Sequence, residues 1–275
     1  MNRVRTIFES PSVTVERFDH PEHCSHRDEG AEVTRDFVVT FLERGGFELD
    51  ERGEHWSFGP LDVLQSSPGI ARRYRHSDEC PTDVCLSVCF APETVEDALG
   101  RLPGAPLPPR VPAGPASRFA LARMSRALET DDPLAIETAA FDCAIAMGPH
   151  RWEGSSRLEG LGAHARRIER ACEAMVSRLA DEQSLTSTAR EVGLSVFHFA
   201  RVFRALVGES PHQYLVRARL AHAARMLRAG ASVTETALGS GFANLSHFTR
   251  SFGRRFGQAP AEFARRSAHE SPRRL

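Results

Sequence analysis

Between residue 1 and about residue 92 the apolar positions fall in short runs of β-branched and aromatic residues. Phe37-Val-Val-Thr-Phe-Leu42 and Val84-Cys-Leu-Ser-Val-Cys-Phe90 are the clearest, and Gly45-Gly46, Gly59-Pro60 and Pro68-Gly69 punctuate the segment. Runs of this length, cut by glycine and proline at this spacing, predict an antiparallel sandwich or barrel. Residues 100–116 (GRLPGAPLPPRVPAGPA) hold no periodic apolar pattern and predict a semi-rigid connector. From Ser117 the period lengthens to that of a helix. Phe119, Leu121, Met124 and Leu128 fall near one face, Asp132-Pro133 fits a second helix start, and Leu134, Ile136, Phe141, Ile145 and Met147 follow before Gly148-Pro149. This helical pair, 117–150, either closes the first domain or forms a dimer interface. Residues 164–268 are helical in pattern almost throughout.

That last region contains a repeat. Ser184-Leu-Thr-Ser-Thr-Ala189-Arg-Glu-Val-Gly193 aligns with Ser232-Val-Thr-Glu-Thr-Ala237-Leu-Gly-Ser-Gly241 at an offset of 48. Beyond the turn, Arg201, Phe203, Gly208 and Pro211 recur as Arg250, Phe252, Gly257 and Pro260 at an offset of 49, and Tyr214 matches Phe263. A duplication of this length marks two copies of one supersecondary unit, with one residue added in the second turn. Each position has a local reason. Ser184 and Ser232 are helix caps, and Ser232-x-x-Glu235 is a capping box. Ala189 and Ala237 are small where two helices cross closely. Gly193 and Gly241 leave a helix through a left-handed turn, and Ser195 caps the helix that follows the first of them. Phe203 and Phe252 fill the core, Gly208 and Gly257 end the second helix, and Pro211 and Pro260 start the next. The unit is a helix-turn-helix, whose second helix is built to enter a major groove. The helix across Arg217–Arg228 joins the copies and would set the two reading helices about 34 Å apart on one face of a duplex.

With these residues in place, the segment 165–266 resembles the DNA-binding domain of the AraC/XylS family of bacterial transcription regulators. The resemblance runs through Ala189, Gly193-Leu-Ser195, Arg201-Val-Phe203, Gly208-Glu-Ser-Pro211, Tyr214-Leu, Arg219-Leu, Ala223, Gly241-Phe242, His247-Phe248-Thr-Arg250-Ser-Phe252 and Phe256-Gly257-Gln-Ala-Pro260. Thr188 and Thr236 depart from it by standing where an aliphatic residue is usual, and Phe263-Ala264 replaces a Tyr-Arg pair. The resemblance implies reading helices over about 195–207 and 244–255. It implies base-edge positions at Val196, Phe197, Ala200 and Arg201 in the first, and at Leu245, Ser246, His247 and Arg250 in the second. Arg201 and Arg250 suit bidentate guanine contacts, and Phe197 and Ala200 suit thymine methyls. Phe199 and Phe203 already supply the core face of the first reading helix, which turns Phe197 toward the groove. Arg204 and Arg254 are candidates for phosphate contacts, with Arg217, Arg219 and Arg255 as weaker ones.

Charge agrees with this division. Residues 1–150 hold 15 Arg against 25 Asp and Glu, a net of −10, and residues 151–275 hold 20 Arg against 11, a net of +9. A polyanionic partner for the second half alone fits that asymmetry. Every basic residue is Arg, a choice that suits phosphate and guanine but fits a GC-rich genome better. The absence of an 18-residue apolar run argues against a membrane span, and the N-terminus lacks an apolar secretory core, so the expected location is the cytoplasm.

The first half resembles, less specifically, the cupin-like sensor domains that precede many AraC-type modules. Trp56-Ser-Phe-Gly-Pro-Leu-Asp-Val-Leu64, Ser67-Pro-Gly69 and Tyr74-Arg-His76 fit a cupin strand pair with its turn. The expected fold is therefore α+β with two domains: a β-rich cupin-like barrel over 1–99 with a helical appendage, then an all-α double helix-turn-helix domain over 164–268. Two groups carry metal or thiol chemistry: His20, His23, Cys24 and His26, and His76, Cys80, Cys85 and Cys89. The second group, His76 with Cys80, Cys85 and Cys89, is the candidate metal or redox site. No CxxC or His-x-His is present, and in a strand Cys85, Ser87 and Cys89 share one face, so Cys85 and Cys89 also fit as small residues lining the interior. The expected function is an effector-responsive regulator without catalytic activity. Its expected partners are operator DNA, RNA polymerase, a second copy and a small-molecule effector, with no membrane. Alternatives are a metal- or thiol-responsive regulator, an architectural DNA binder, and a cupin-type metal enzyme fused to a DNA module.

Overall fold

The computed structural model describes residues 3–20, 31–76, 82–92, 94, 107–147 and 161–270. His23, Cys24, His26 and Cys80 lie outside the described residues, as do 100–106 of the expected connector. The chain divides into two compact units. One comprises Met1–Leu128, Ala139–Glu159 and Ser195–His198, the other Glu129–Thr138, Gly160–Leu194 and Phe199–Leu275.

The first unit is built on strands β1 (Arg3–Glu9), β2 (Val13–His20), β3 (Glu32–Val33), β4 (Phe37–Gly45), β5 (Phe47–Glu51), β6 (Glu54–Phe58), β7 (Val63–Ser66), β8 (Ala71–Arg75), β9 (Asp83–Phe90) and β10 (Arg110–Val111). They form two antiparallel sheets in the orders β1-β2-β9-β4-β7-β10 and β3-β8-β5-β6. Leu42, Leu64 and Cys85 of the larger sheet and Phe47, Leu49 and Phe58 of the smaller one make a shared core. The expected barrel is thus an open sandwich: no closed ring forms among the described strands. The strand pair expected over Trp56 to His76 does not form, since β8 pairs with β3 and β5 and not with β6 or β7. β6 pairs with β5 in one sheet, and β7 pairs with β4 and β10 in the other.

Gly45 explains the change of sheet between β4 and β5. Its φ is +79°, and a Cβ there would meet the Thr82 carbonyl oxygen at 1.9 Å, so the tight corner admits glycine alone. The part of the Pro/Gly-rich stretch that is described is not a free connector. Arg110–Val111 adds an edge strand against Val63 and Leu64, and Asp62 accepts from Arg110 Nε at 3.0 Å and from the Ala113 N–H at 2.8 Å.

Two helices follow: α1 (Pro115–Leu128) and α2 (Pro133–Met147). Asp132 caps α2, accepting from the Leu134 and Ala135 N–H groups at 3.0 and 3.3 Å. Within the first unit they pack intramolecularly, through an Arg123–Asp142 ion pair and the Phe141 ring 5.6 Å from Phe90.

The second unit is helical: α3 (Leu161–Ser177), α4 (Leu185–Glu191), α5 (Val196–Val207), α6 (Pro211–Arg228), α7 (Val233–Gly239), α8 (Leu245–Phe256) and α9 (Pro260–Glu270). α5 begins within the segment assigned to the first unit. Caps set most of the starts. The Ser184 hydroxyl accepts from the Ser187 N–H at 3.0 Å, and Ser210 with Gln213 and Ser232 with Glu235 form reciprocal capping boxes.

Candidate functional site

The two sequence copies fold as the same unit. In the first, α4 leads to α5 through Gly193 at φ +66°; in the second, α7 leads to α8 through Gly241 at φ +78°. The turns close with equivalent bonds, the Leu194 N–H to the Ala189 carbonyl and the Phe242 N–H to the Ala237 carbonyl, both 3.0 Å. The residue added in the second copy is therefore Ala243, which lies between Phe242 and the cap Asn244. Asn244 accepts from the His247 N–H at 3.0 Å, and Ser195 accepts from the His198 N–H at 3.4 Å.

Behind each reading helix stands the same trio of rings. Phe199 and Phe203 are 5.5 Å apart, with Tyr214 5.6 Å from Phe203; Phe248 and Phe252 are 5.6 Å apart, with Phe263 5.3 Å from Phe252. Three of these four contacts are edge-to-face and that between Phe248 and Phe252 is tilted, arrangements that add to the burial of the rings. Leu220, Ala223, Ala224 and Leu227 of α6 complete the core of the second copy.

At about 100° per residue, Leu245, Ser246, Thr249 and Arg250 occupy one arc of α8, and buried Phe248, Ser251 and Phe252 occupy the opposite arc. Leu245, Ser246, Thr249 and Arg250 are all exposed. His247 is half-buried, its ring 5.7 Å from Phe242. Thr249 was missed by the sequence reasoning, although its i+4 spacing from Leu245 puts it on the same arc. Arg254 is exposed one turn beyond Arg250.

On α5, Val196, Ala200 and Arg201 are half-buried and Arg204 is exposed. Phe197 departs from expectation. It is 4 % exposed, its ring edge-on to Phe141 at 4.6 Å and 6.2 Å from Phe90. Burial of a phenyl ring is favourable by about 1.5–3 kcal/mol, and Phe90 and Phe141 supply the partner rings that a reading of the helix alone does not contain. Phe197 is thus buried against other rings in this structure, where the helical pattern turned it toward the groove. Arg219 is likewise structural. It is buried, donating to the Leu179 and Asp181 carbonyls at 2.9 Å each and to Asp132 at 3.3 Å. Arg217 pairs with Glu209 and lies over the Tyr214 ring at 5.2 Å.

The first unit holds a cavity of about 350 Å³ between its sheets. Cys85, Ser87 and Cys89 line it from one face of β9, while Leu86, Val88 and Phe90 on the other face are buried. Burial pushes the Cys89 thiol up to about 12 and raises Cys85 as well, the reverse of what a reactive thiol needs. His76, the described histidine of the candidate metal or redox group, reaches Asp83 rather than a cysteine, Nε2 to Oδ1 at 2.5 Å. Cys85 donates its S–H to Asp83 Oδ2 at 2.9 Å. His20 closes on Asp83 from β2, Nδ1 to Oδ1 at 2.7 Å. Burial alone would raise the Asp83 carboxyl, but donors on His20, His76 and Cys85 outweigh it and hold the group well below the usual carboxylate range. Sequence reasoning missed Asp83 and did not join His20 to His76, because strand register brings them together. Arg72, the guanidinium in the wall, is paired with buried Glu51 at 2.7 Å, and Glu16, Glu32 and Asp36 leave the lining rich in carboxyl groups.

Residues 188–266 match a family model described as a helix-turn-helix domain. The chain is 31% identical over 97 residues to the HTH-type transcriptional regulator ExsA of Pseudomonas aeruginosa, a match covering 35% of each chain. It is 33% identical over 109 residues to the HTH-type transcriptional activator RhaS of Escherichia coli, covering 39% of each. The chain thus spans little more than a third of the length of these relatives. Among solved structures, it is similar to a probable AraC family transcriptional regulator from Rhodopseudomonas palustris, at 29% identity, 38% coverage of this chain, 98% of that one and a TM-score of 0.36. The duplicated helical unit is thus a helix-turn-helix domain, and its segment is similar to the corresponding segments of these transcriptional regulators.

Proposed function

We propose that the chain is a sequence-specific DNA-binding transcription regulator, each copy reading two successive major-groove segments through α5 and α8. The observation that carries this reading is the duplicated unit itself, with matching turns and matching ring trios in the half of the chain that bears a net charge of +9. Val196, Ala200 and Arg201 would face one segment, and Leu245, Ser246, Thr249 and Arg250 the next, with His247 at the edge. Arg201 and Arg250 suit guanine, and Arg204 and Arg254 suit phosphates.

The first unit, a cupin-like sensor on this reading, offers its cavity to a small-molecule effector. The bound effector would shift the population of DNA-competent states by its differential affinity for them. No catalytic step is involved. Among the described residues no helix is long and apolar enough to cross a membrane, and action on a chromosome places the protein in the cytoplasm. A second copy of the chain and RNA polymerase are the partners through which binding would become regulation, activation being the mode named for RhaS.

Mapping bound sites across the source genome supplies a cognate duplex, and titrating the full chain against it and a scrambled duplex over a series of salt concentrations tests the reading. A specific regulator keeps a large preference for the cognate at every salt. Equal affinity, differing only through the shared salt-dependent component, would sink the proposal.

A further inference from the structure

His20 is the last residue of β2, His76 follows β8 directly, and Asp83 opens β9. The pairing of β2 with β9 sets His20 opposite Asp83, while His76 arrives from the end of a strand in the smaller sheet. Both imidazoles converge on one oxygen, Asp83 Oδ1, at 2.7 and 2.5 Å. Their ring centres are 5.4 Å apart with planes tilted by 52°, and the three donor atoms all lie within 4.8 Å of one another. All three side chains line the cavity.

We propose that His20, His76 and Asp83 hold a divalent transition-metal ion of the zinc, cobalt or iron(II) class, with an open coordination position facing the cavity. Two imidazoles and a carboxylate are a donor set that such borderline ions take, whereas magnesium and calcium select oxygen donors. Bonds of about 2.0–2.2 Å at tetrahedral angles put donor atoms about 3.3 Å apart. The separations found here, from 2.5 Å up to the 4.8 Å limit, straddle that value, so small side-chain rotations open the cluster to a metal. The carboxyl groups of Glu16, Glu32 and Asp36 in the same wall add negative potential, and the Arg72 guanidinium does not offset it, being paired with Glu51. The Cys85 thiol sits on the other Asp83 oxygen, where it orients the carboxylate as outer-sphere donors do. Water or a donor atom of an effector would complete the coordination. This site is independent of the DNA reading, which stands whether or not metal binds.

The test uses the full chain without an affinity tag, stripped by a chelator and titrated with Co²⁺ and then Zn²⁺. One equivalent of Co²⁺ is expected, with a four-coordinate visible spectrum that Zn²⁺ abolishes. His20→Gln, His76→Gln and Asp83→Asn should each weaken binding at least tenfold, while Cys89→Ser leaves it unchanged. X-ray absorption of the Zn²⁺-loaded wild type needs no variant and should show nitrogen and oxygen neighbours only. Failure of the wild type to retain a stoichiometric ion, a shell dominated by sulfur, or unchanged affinity in folded His76→Gln would overturn the proposal.

Discussion

Glu137 of α2 takes two hydrogen bonds from one residue, Thr186 in the first turn of α4. The Thr186 N–H reaches Oε2 at 3.0 Å and the Thr186 hydroxyl reaches Oε1 at 2.8 Å. Glu137 is wholly buried, so it acts as a cap supplied from a distant helix to the first turn of α4. Glu137→Ala should lower stability by about 1–3 kcal/mol, the cost of leaving buried donors unmade. Urea denaturation would show it as a lower midpoint at unchanged slope. An unchanged midpoint would mean the pair contributes nothing.

Thr188 and Thr236 are equivalent positions with opposite expectations. The Thr188 hydroxyl donates to the Ser184 carbonyl at 2.8 Å, whereas the buried Thr236 hydroxyl has no hydrogen-bond partner among the described residues. Valine preserves the shape and removes the hydroxyl. Thr236→Val should raise stability by about 1 kcal/mol and Thr188→Val should lower it by a similar amount. Thermal melts of the two variants, side by side, should move in opposite directions.

On α8, Arg250 and Arg254 should differ in kind. Arg250→Ala is expected to cost about 1–3 kcal/mol on the cognate duplex and to relax preference at one base pair. Arg254→Ala should weaken cognate and scrambled duplexes alike and reduce the salt slope by about one. Phe197→Ala, by contrast, should register first as a loss of stability, about 3 kcal/mol for a buried phenyl, in a melt recorded without DNA.

Burial raises the thiols of Cys89 and Cys143 to about 12. Native-state alkylation of both should therefore be slow at neutral pH and should keep accelerating with pH beyond 9, where an ordinary thiol levels off. Since the folded values exceed the unfolded ones, these groups favour the fold below about pH 8.5 and lose that contribution as pH rises toward 12. Rapid labelling at pH 7.5 without denaturant would restore the thiol-sensing alternative.

The helical half was legible because its determinants are local. Ser184, Ser195 and Ser232 cap helices three residues away, and Gly193 and Gly241 answer to their own φ, so a one-dimensional pattern contains the interaction. Phe199 and Phe203 are an i, i+4 pair. The first half was legible only as strands. β4 and β9 fall where their β-branched runs predict, but Gly45 sends the chain to a second sheet because of its contact with Thr82, a residue far along the chain. The meeting of His20, His76 and Asp83 depends on the β2–β9 register and on where β8 ends. Phe197 misled because its arc was judged from the helix alone, while the rings packed on it, Phe90 and Phe141, come from far along the chain.

The paired glycines of the two turns are not under the same constraint. At Gly193 nothing stands within 4 Å of where a Cβ would go, while at Gly241 that atom would collide with the Leu179 carbonyl oxygen at 2.2 Å and approach Arg219 Nε at 2.9 Å. Handedness of the backbone is the whole demand on the first, and asparagine meets it at modest cost. The second must also be empty. Two copies descended from one ancestor would thus diverge unevenly under mutation. Lineages can trade away the first glycine and still fold, but the second is anchored by a neighbour outside the repeat, and its loss would remove the lineage rather than mark it.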